Sequence, residues 1–125
     1  MRFGHSLVEL LDLYPTLSSL CDLEVTSRLQ GKDISPVFDN PKHEVRDAAF
    51  SVNGKGFLLR EHDWAYIQYG EDGNKGIELF DMKKDPKQYT NLATDPKHAG
   101  TVTRFRKKMT AKLKEIRTND LGLKY

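Results

Sequence analysis

The sequence is poor in several residues and patterns, and each scarcity removes a class of function. It holds one cysteine, Cys21, so no internal disulfide can form, and no C-x-x-C or clustered Cys/His spacing suggests zinc. Its four histidines, His5, His43, His62 and His98, never pair at two, three or four residues' separation. No H-x-H or H-E-x-x-H pattern occurs and no acidic loop has calcium spacing, so no metal site is expected in the chain. There is no G-x-S-x-G elbow, and the glycine-rich stretch Gly70 to Gly76 precedes a strand pattern rather than a helix. That stretch reads as a hairpin loop, not a phosphate cradle. No apolar run approaches the roughly 18 to 20 residues that cross a bilayer, so no membrane partner is expected. The N-terminus lacks the apolar stretch of a secretory leader, and a complete translation product of this kind would be expected in the cytosol.

What is present is a chain of 125 residues with 38% hydrophobic and 30% charged residues, enough for one domain with a core and no staples. Charge is nearly balanced at +2, but its distribution is not. From Thr101 onward there are eight basic and two acidic residues, against twelve basic and sixteen acidic before it. An acidic body therefore carries a basic C-terminal segment.

Ser6 to Leu23 is apolar on more than one side. Pro15 is tolerated only in the first turn of a helix, which predicts a helix from Leu13 to about Asp22 with Asp12 as N-cap, after a short strand or extended entry over Leu7 to Leu11. Leu13, Leu17, Leu20 and Cys21 share one side of it, with Tyr14 beside them, and Cys21 reads as a buried core residue. Glu24 to Arg46 is polar and irregular, with one helical turn near Pro36 to Phe38.

From Asp47 the period changes to two. Strands are expected over Ala48 to Val52, Phe57 to Arg60, Trp64 to Tyr69 and Ile77 to Met82, joined by an Asn53-Gly54 hairpin signal, a tight turn at Glu61 to Asp63 and the Gly70 to Gly76 loop. A loop over 83–95 follows, with Tyr89, Leu92 and Ala93 as anchors. Asp95-Pro96 then starts a helix over 96–117, with Val102, Phe105, Met109, Leu113 and Ile116 as its buried stripe. Residues Asn119 to Tyr125 are expected to fray. The fold class is α+β: a small antiparallel sheet of about four strands packed against a long C-terminal helix.

Two constellations invite a functional reading. Arg60-Glu61-His62-Asp63-Trp64 gathers a cation, an imidazole, two carboxylates and an indole at a hairpin tip that can border a ligand cleft; an exposed turn with Trp64 packed into the sheet is the plainer reading. The basic helix, with Arg104, Arg106, Lys107, Lys108, Lys112, Lys114 and Arg117, can meet an acidic partner or nucleic acid as a free-standing binding module. A solvated outer face is the plainer reading here, and no aromatic residues are interleaved for stacking on bases, so nucleic acid is not the expected partner.

The order of segments carries a resemblance. Val8 to Leu17 (Val-Glu-Leu-Leu-Asp-Leu-Tyr-Pro-Thr-Leu), Gly31 to Pro36, Gly56 to Arg60 with Trp64 to Ile67, Glu78 to Asp81, Asp85-Pro86 and Asn91-Leu92 together resemble the C-terminal part of type I sulfatases of the alkaline phosphatase-like superfamily, nearest to their iduronate-2-sulfatase-like branch. The resemblance runs from about Leu7 to Leu113. Two positions depart from it: Ala65 stands where Lys or Arg is common, and Gln88 replaces the glutamate of Asp-Pro-x-Glu.

What the resemblance implies is a subdomain without catalytic residues of its own. Residues 1–23 would form the edge strand and helix of the large α/β sulfatase domain, 24–46 an irregular connection, and 47–125 the C-terminal subdomain, with its meander over 47–82. Its partner would be the remainder of that large domain, or a second copy through residues 7–23. The family's calcium ion and its formylglycine, made within a C/S-x-P-x-R motif, are expected in the parent and not in this chain; Cys21 has no proline or arginine at the required offsets. His62 and Trp64 become candidates for the rim of the substrate cleft. The parent would hydrolyse sulfate esters, such as iduronate 2-sulfate, in an exported, periplasmic or lysosomal setting.

Overall fold

A computed structural model describes residues 4–118; the fraying expected over Asn119 to Tyr125 lies outside the described residues. The chain divides into two compact units between Phe50 and Ser51.

In the first unit, a 3-10 turn over Leu10–Asp12 runs into helix α1, Leu13–Leu20, and a single helical turn, α2, covers Pro36–Asp39. Pro15 falls in the opening turn of α1, where its missing N–H costs nothing. The helix stops two residues before the expected end. Asp22 takes the left-handed conformation at φ 54, while Leu23 N–H donates to the Ser18 carbonyl at 2.9 Å and Asp22 N–H to that of Ser19 at 3.2 Å, the Schellman termination.

The inward side of α1 corrects the sequence reading. Asp12, Pro15, Thr16 and Ser18 are buried, whereas Leu10 is 84% and Leu17 60% exposed, with Leu13, Tyr14 and Leu20 also exposed. Cys21 is exposed as well, not a core residue. The physical reason is that a buried carboxylate wins the interior. Asp12 accepts from Glu9 N–H at 2.7 Å, from Lys32 N–H at 2.8 Å and from both terminal nitrogens of Arg46. Its side chain is thus turned away from capping α1. Thr16 Oγ1 donates to the Asp12 carbonyl at 2.6 Å and accepts from Ile34 N–H at 3.0 Å, so the segment after Gly31 is laced to the helix through polar atoms. Gly31 makes the approach possible, because a Cβ there would stand 2.1 Å from the Leu11 carbonyl oxygen.

The second unit is an antiparallel meander with a helix. Strands β1 (Ala49–Asn53, within which the boundary falls), β2 (Gly56–Arg60), β3 (Trp64–Tyr69) and β4 (Ile77–Asp81) lie in the order β1-β2-β3-β4, as the alternating pattern predicts. Gly54 supplies the positive φ of the first turn. The register pairs Leu59 with Tyr66 and Tyr66 with Leu79, which puts the three on one face of the sheet. A 3-10 turn, Pro96–His98, leads into α3, Ala99–Ile116, and the Asp95 side chain accepts from Lys97 N–H at 2.9 Å as the expected cap. Val102, Phe105, Met109 and Leu113 are all buried, and Phe105 stacks on Tyr66 with centroids 5.4 Å apart. The helix therefore covers the Leu59-Tyr66-Leu79 face.

The loop after β4 explains two of the sequence motifs. Asp85 Oδ2 accepts from Thr90 N–H at 2.8 Å while Gln88 adopts φ 59, which folds the chain back toward β4. Asn91 Oδ1 then accepts from Leu79 N–H at 3.0 Å, its Nδ2 donates to the Ile77 carbonyl at 3.2 Å, and Leu92 N–H donates to the Leu79 carbonyl at 2.8 Å. Asn91-Leu92 thus satisfies the open edge of β4 without adding a strand.

Candidate functional site

The turn between β2 and β3 is the place where chemistry-bearing side chains meet. Glu61 N–H donates to the Trp64 carbonyl at 2.8 Å, which closes the turn. Arg60, the last residue of β2, folds over it: its Nη1 donates to the carbonyls of Glu61, of His62 at 3.1 Å and of Trp64 at 3.2 Å. Its charge is therefore directed at the backbone of its own turn rather than outward.

Glu61 is fixed from α3. Its carboxylate receives Arg104 at 2.7 and 2.9 Å and Lys108 at 2.8 Å. Burial pushes the Glu61 carboxyl up, but the hydrogen bonds from Arg104 and Lys108 and their charges outweigh it and hold the group below the usual glutamate range. Arg104 also lies over the Phe105 ring, 4.3 Å from its centroid. On the other side, Met82 N–H donates to the Asp63 carbonyl at 2.8 Å and Lys83 Nζ to Asp63 Oδ2 at 2.9 Å.

The two residues singled out from the sequence lie on this turn and differ in setting. His62 is exposed at its tip, and Trp64 is half-buried. The Trp64 ring meets His98 edge-on, with centroids 5.5 Å apart. The arrangement offers an exposed imidazole, able to donate or accept, beside a flat indole, on backbone fixed from both flanks. Sequence reasoning found the tip but missed what holds it, since the Arg60 contacts to carbonyls and the Glu61 grip from a helix more than forty residues away have no local signature.

Also missed was the knot around Asp12. Arg46 joins it with only 6% of its side chain exposed, and its Nε lies 3.7 Å from Glu9 Oε1, while Glu9 Oε1 accepts from Phe50 N–H at 2.8 Å. Burial pushes Asp12 up, but Arg46 and the N–H groups of Lys32 and Glu9 hold it below the ordinary aspartate range. An acid inside an otherwise apolar run was the available signal. The carboxylate oxygens of Asp12 are taken up by other protein groups, which marks this knot as structural. Among the described residues no group of three or more His, Cys, Asp and Glu side chains converges as a metal would require, and no helix is long and apolar enough to cross a membrane.

Residues 2–118 match the family model for the N-sulphoglucosamine sulphohydrolase C-terminal region. The chain is 34% identical over 105 residues to a Delta 4,5-hexuronate-2-O-sulfatase of Bacteroides thetaiotaomicron, a match covering 77% of this chain and 21% of that protein. It is 30% identical over 105 residues to arylsulfatase K of Rattus norvegicus, covering 72% and 18% respectively. Among solved structures, a 2-O GAG sulfatase superposes with a TM-score of 0.73 at 27% identity, over 90% of this chain and 26% of that one. The chain spans about a fifth of the length of the curated relatives it matches.

Proposed function

Because the chain belongs to the N-sulphoglucosamine sulphohydrolase C-terminal family and is a C-terminal sulfatase subdomain, we propose that it completes a larger enzyme hydrolysing sulfate esters of sugars. Uronate 2-sulfates are the favoured substrate class, on the strength of the 34% identity to a hexuronate-2-O-sulfatase. The reacting groups belong to the rest of that enzyme. Neither calcium nor a formylglycine fits the residues here: no three metal-ligating side chains converge among the described residues, and Cys21 sits exposed in Leu-Cys-Asp-Leu-Glu without the proline and arginine that formylglycine formation uses. In the parent, the calcium would neutralise the sulfate and the formylglycine would supply the nucleophile.

The observation that carries the reading is the apolar side of α1. Leu10, Leu13, Tyr14, Leu17 and Leu20 are exposed on and just before one helix, a patch suited to being covered by the sulfatase large domain, or by a second copy when that domain is missing. It weighs against a free-standing module. The 60–64 turn then borders the cleft, with His62 as a hydrogen-bonding group and Trp64 as a flat wall against the sugar.

The test is a 2-O-sulfated disaccharide assay with added calcium. The 125-residue chain should show no turnover and the full-length parent should be active. In the parent, His62→Ala should raise KM about fivefold with little change in kcat, the loss of one substrate hydrogen bond. Turnover by the short chain would overturn the division of labour, and an unchanged KM would remove His62 from the rim.

A further inference from the structure

Between Ala99 and Thr118 the chain carries seven basic residues and one acidic residue, Glu115. Three carboxylates meet this set. Glu61 is shared by Arg104 and Lys108, Glu71 accepts from Arg117 at 2.8 Å, and Glu115 takes Lys112 at 2.9 Å. Arg106 lies close enough to the Tyr66 hydroxyl for its charge to oppose the upward push of burial on that group. Lys107 and Lys114 are exposed, and neither meets a carboxylate among the described residues.

Their placement is regular. At 100° per residue the two fall within about 20° of each other, opposite the buried Val102-Phe105-Met109-Leu113 stripe, and two turns apart, about 10.5 Å along the axis. Both ammonium groups reach one small anion only if the two side chains lean together along the axis, at a cost in rotamer freedom; a polymer bearing anions at intervals meets each where it stands, and gains from holding two at once. The chemistry favours sulfate groups over nucleic acid. An ammonium donates to sulfate or phosphate oxygens from many directions alike; what separates the two partners is that the single aromatic residue of α3, Phe105, is fully buried, leaving nothing on the outer face for bases to stack on.

We propose that the Lys107-Lys114 face of α3 is an exosite for a polysulfated glycan chain, holding sulfates other than the one being hydrolysed. The choice of glycan rests on the proposed sulfatase function; the site itself rests on the charge and spacing of α3.

The test titrates a heparin-derived octasaccharide into the 125-residue chain, followed by calorimetry. K107Q/K114Q should weaken binding about tenfold and flatten its salt dependence, while K55Q/K75Q, the same charge change at exposed lysines on the hairpin loops, should weaken it less than about twofold. A single-stranded DNA of about twenty nucleotides should bind more weakly than the octasaccharide. Equal losses from the two double variants, tighter or equal binding of the DNA, or no binding of the octasaccharide would each overturn the exosite. Disaccharide turnover by the parent is too short-ranged to depend on this face, so failure here leaves the sulfatase reading standing, and failure there leaves the octasaccharide result standing.

Discussion

The two units of the chain are built by opposite rules. Residues up to Phe50 bury a carboxylate, a hydroxyl pair and an arginine and turn leucines outward, whereas the meander with α3 buries Tyr66, Leu79, Phe105 and Met109 and turns lysines and arginines outward. The second follows the usual partition of apolar and charged groups and accounts for its own stability. The first holds its shape by hydrogen bonds to Asp12 and leaves its leucines exposed. Under the function proposed for the chain, a segment inside out by the standards of a free domain is correctly oriented for one that is to be covered.

The largest effect should come from the apolar core. Phe105→Ala removes the ring stacked on Tyr66 and should cost about 4 kcal/mol, read as lost amide protection across β2, β3 and α3. Asp12→Ala leaves Arg46 buried without its carboxylate and should cost about 3 kcal/mol, seen as faster proteolysis within residues 1–50 while the amides of the second unit keep their protection. Uniform loosening of both units by either variant would erase the contrast between them.

Acid should attack the polar knot. The Asp12 carboxyl is held below its ordinary value of about 3.9, so it contributes stability that is fully present above that pH and is lost as pH falls through the lower folded value. Exchange of the Lys32 amide should therefore accelerate below about pH 4, and Asp12→Asn should remove that dependence. Glu61 shifts in the same direction, but Arg104 is half-exposed, so its contribution should fade in salt while that of Asp12 persists.

Smaller effects sharpen the comparison. Gly100 lies in the first turn of α3, and an added methyl group there would meet open space, so Gly100→Ala should stabilise the second unit by about 0.5 to 1 kcal/mol in a denaturant melt. Leu13→Gln with Leu17→Gln should change the stability of the chain by less than about 0.5 kcal/mol, yet abolish self-association on gel filtration and binding of an apolar dye. A marked loss of stability instead would show that α1 packs its leucines within its own unit.

Much of the second unit was legible because its sequence periods match its burial. Val102, Phe105, Met109 and Leu113 repeat as a helix requires, and Asn53-Gly54 and Asp95-Pro96 mark a turn and a helix start by local chemistry. The tip bearing His62 and Trp64 was legible as a cluster, but the grip of Arg60 on three carbonyls and of α3 on Glu61 was not. Cys21 misled for an equally physical reason: a free cysteine beside leucines implies an interior, and nothing local says that this side of α1 faces outward.

The sequence by itself determined the α+β class, the four-strand order and the outward charge of α3, because periodicity, turn chemistry and capping act over a few residues. Only the tertiary structure decided which side of α1 faces in. That choice rests on Lys32 and Arg46, twenty and thirty-four residues beyond Asp12, converging on one carboxylate, because a carboxylate can leave water only where donors meet it and is costly to leave there unpaired.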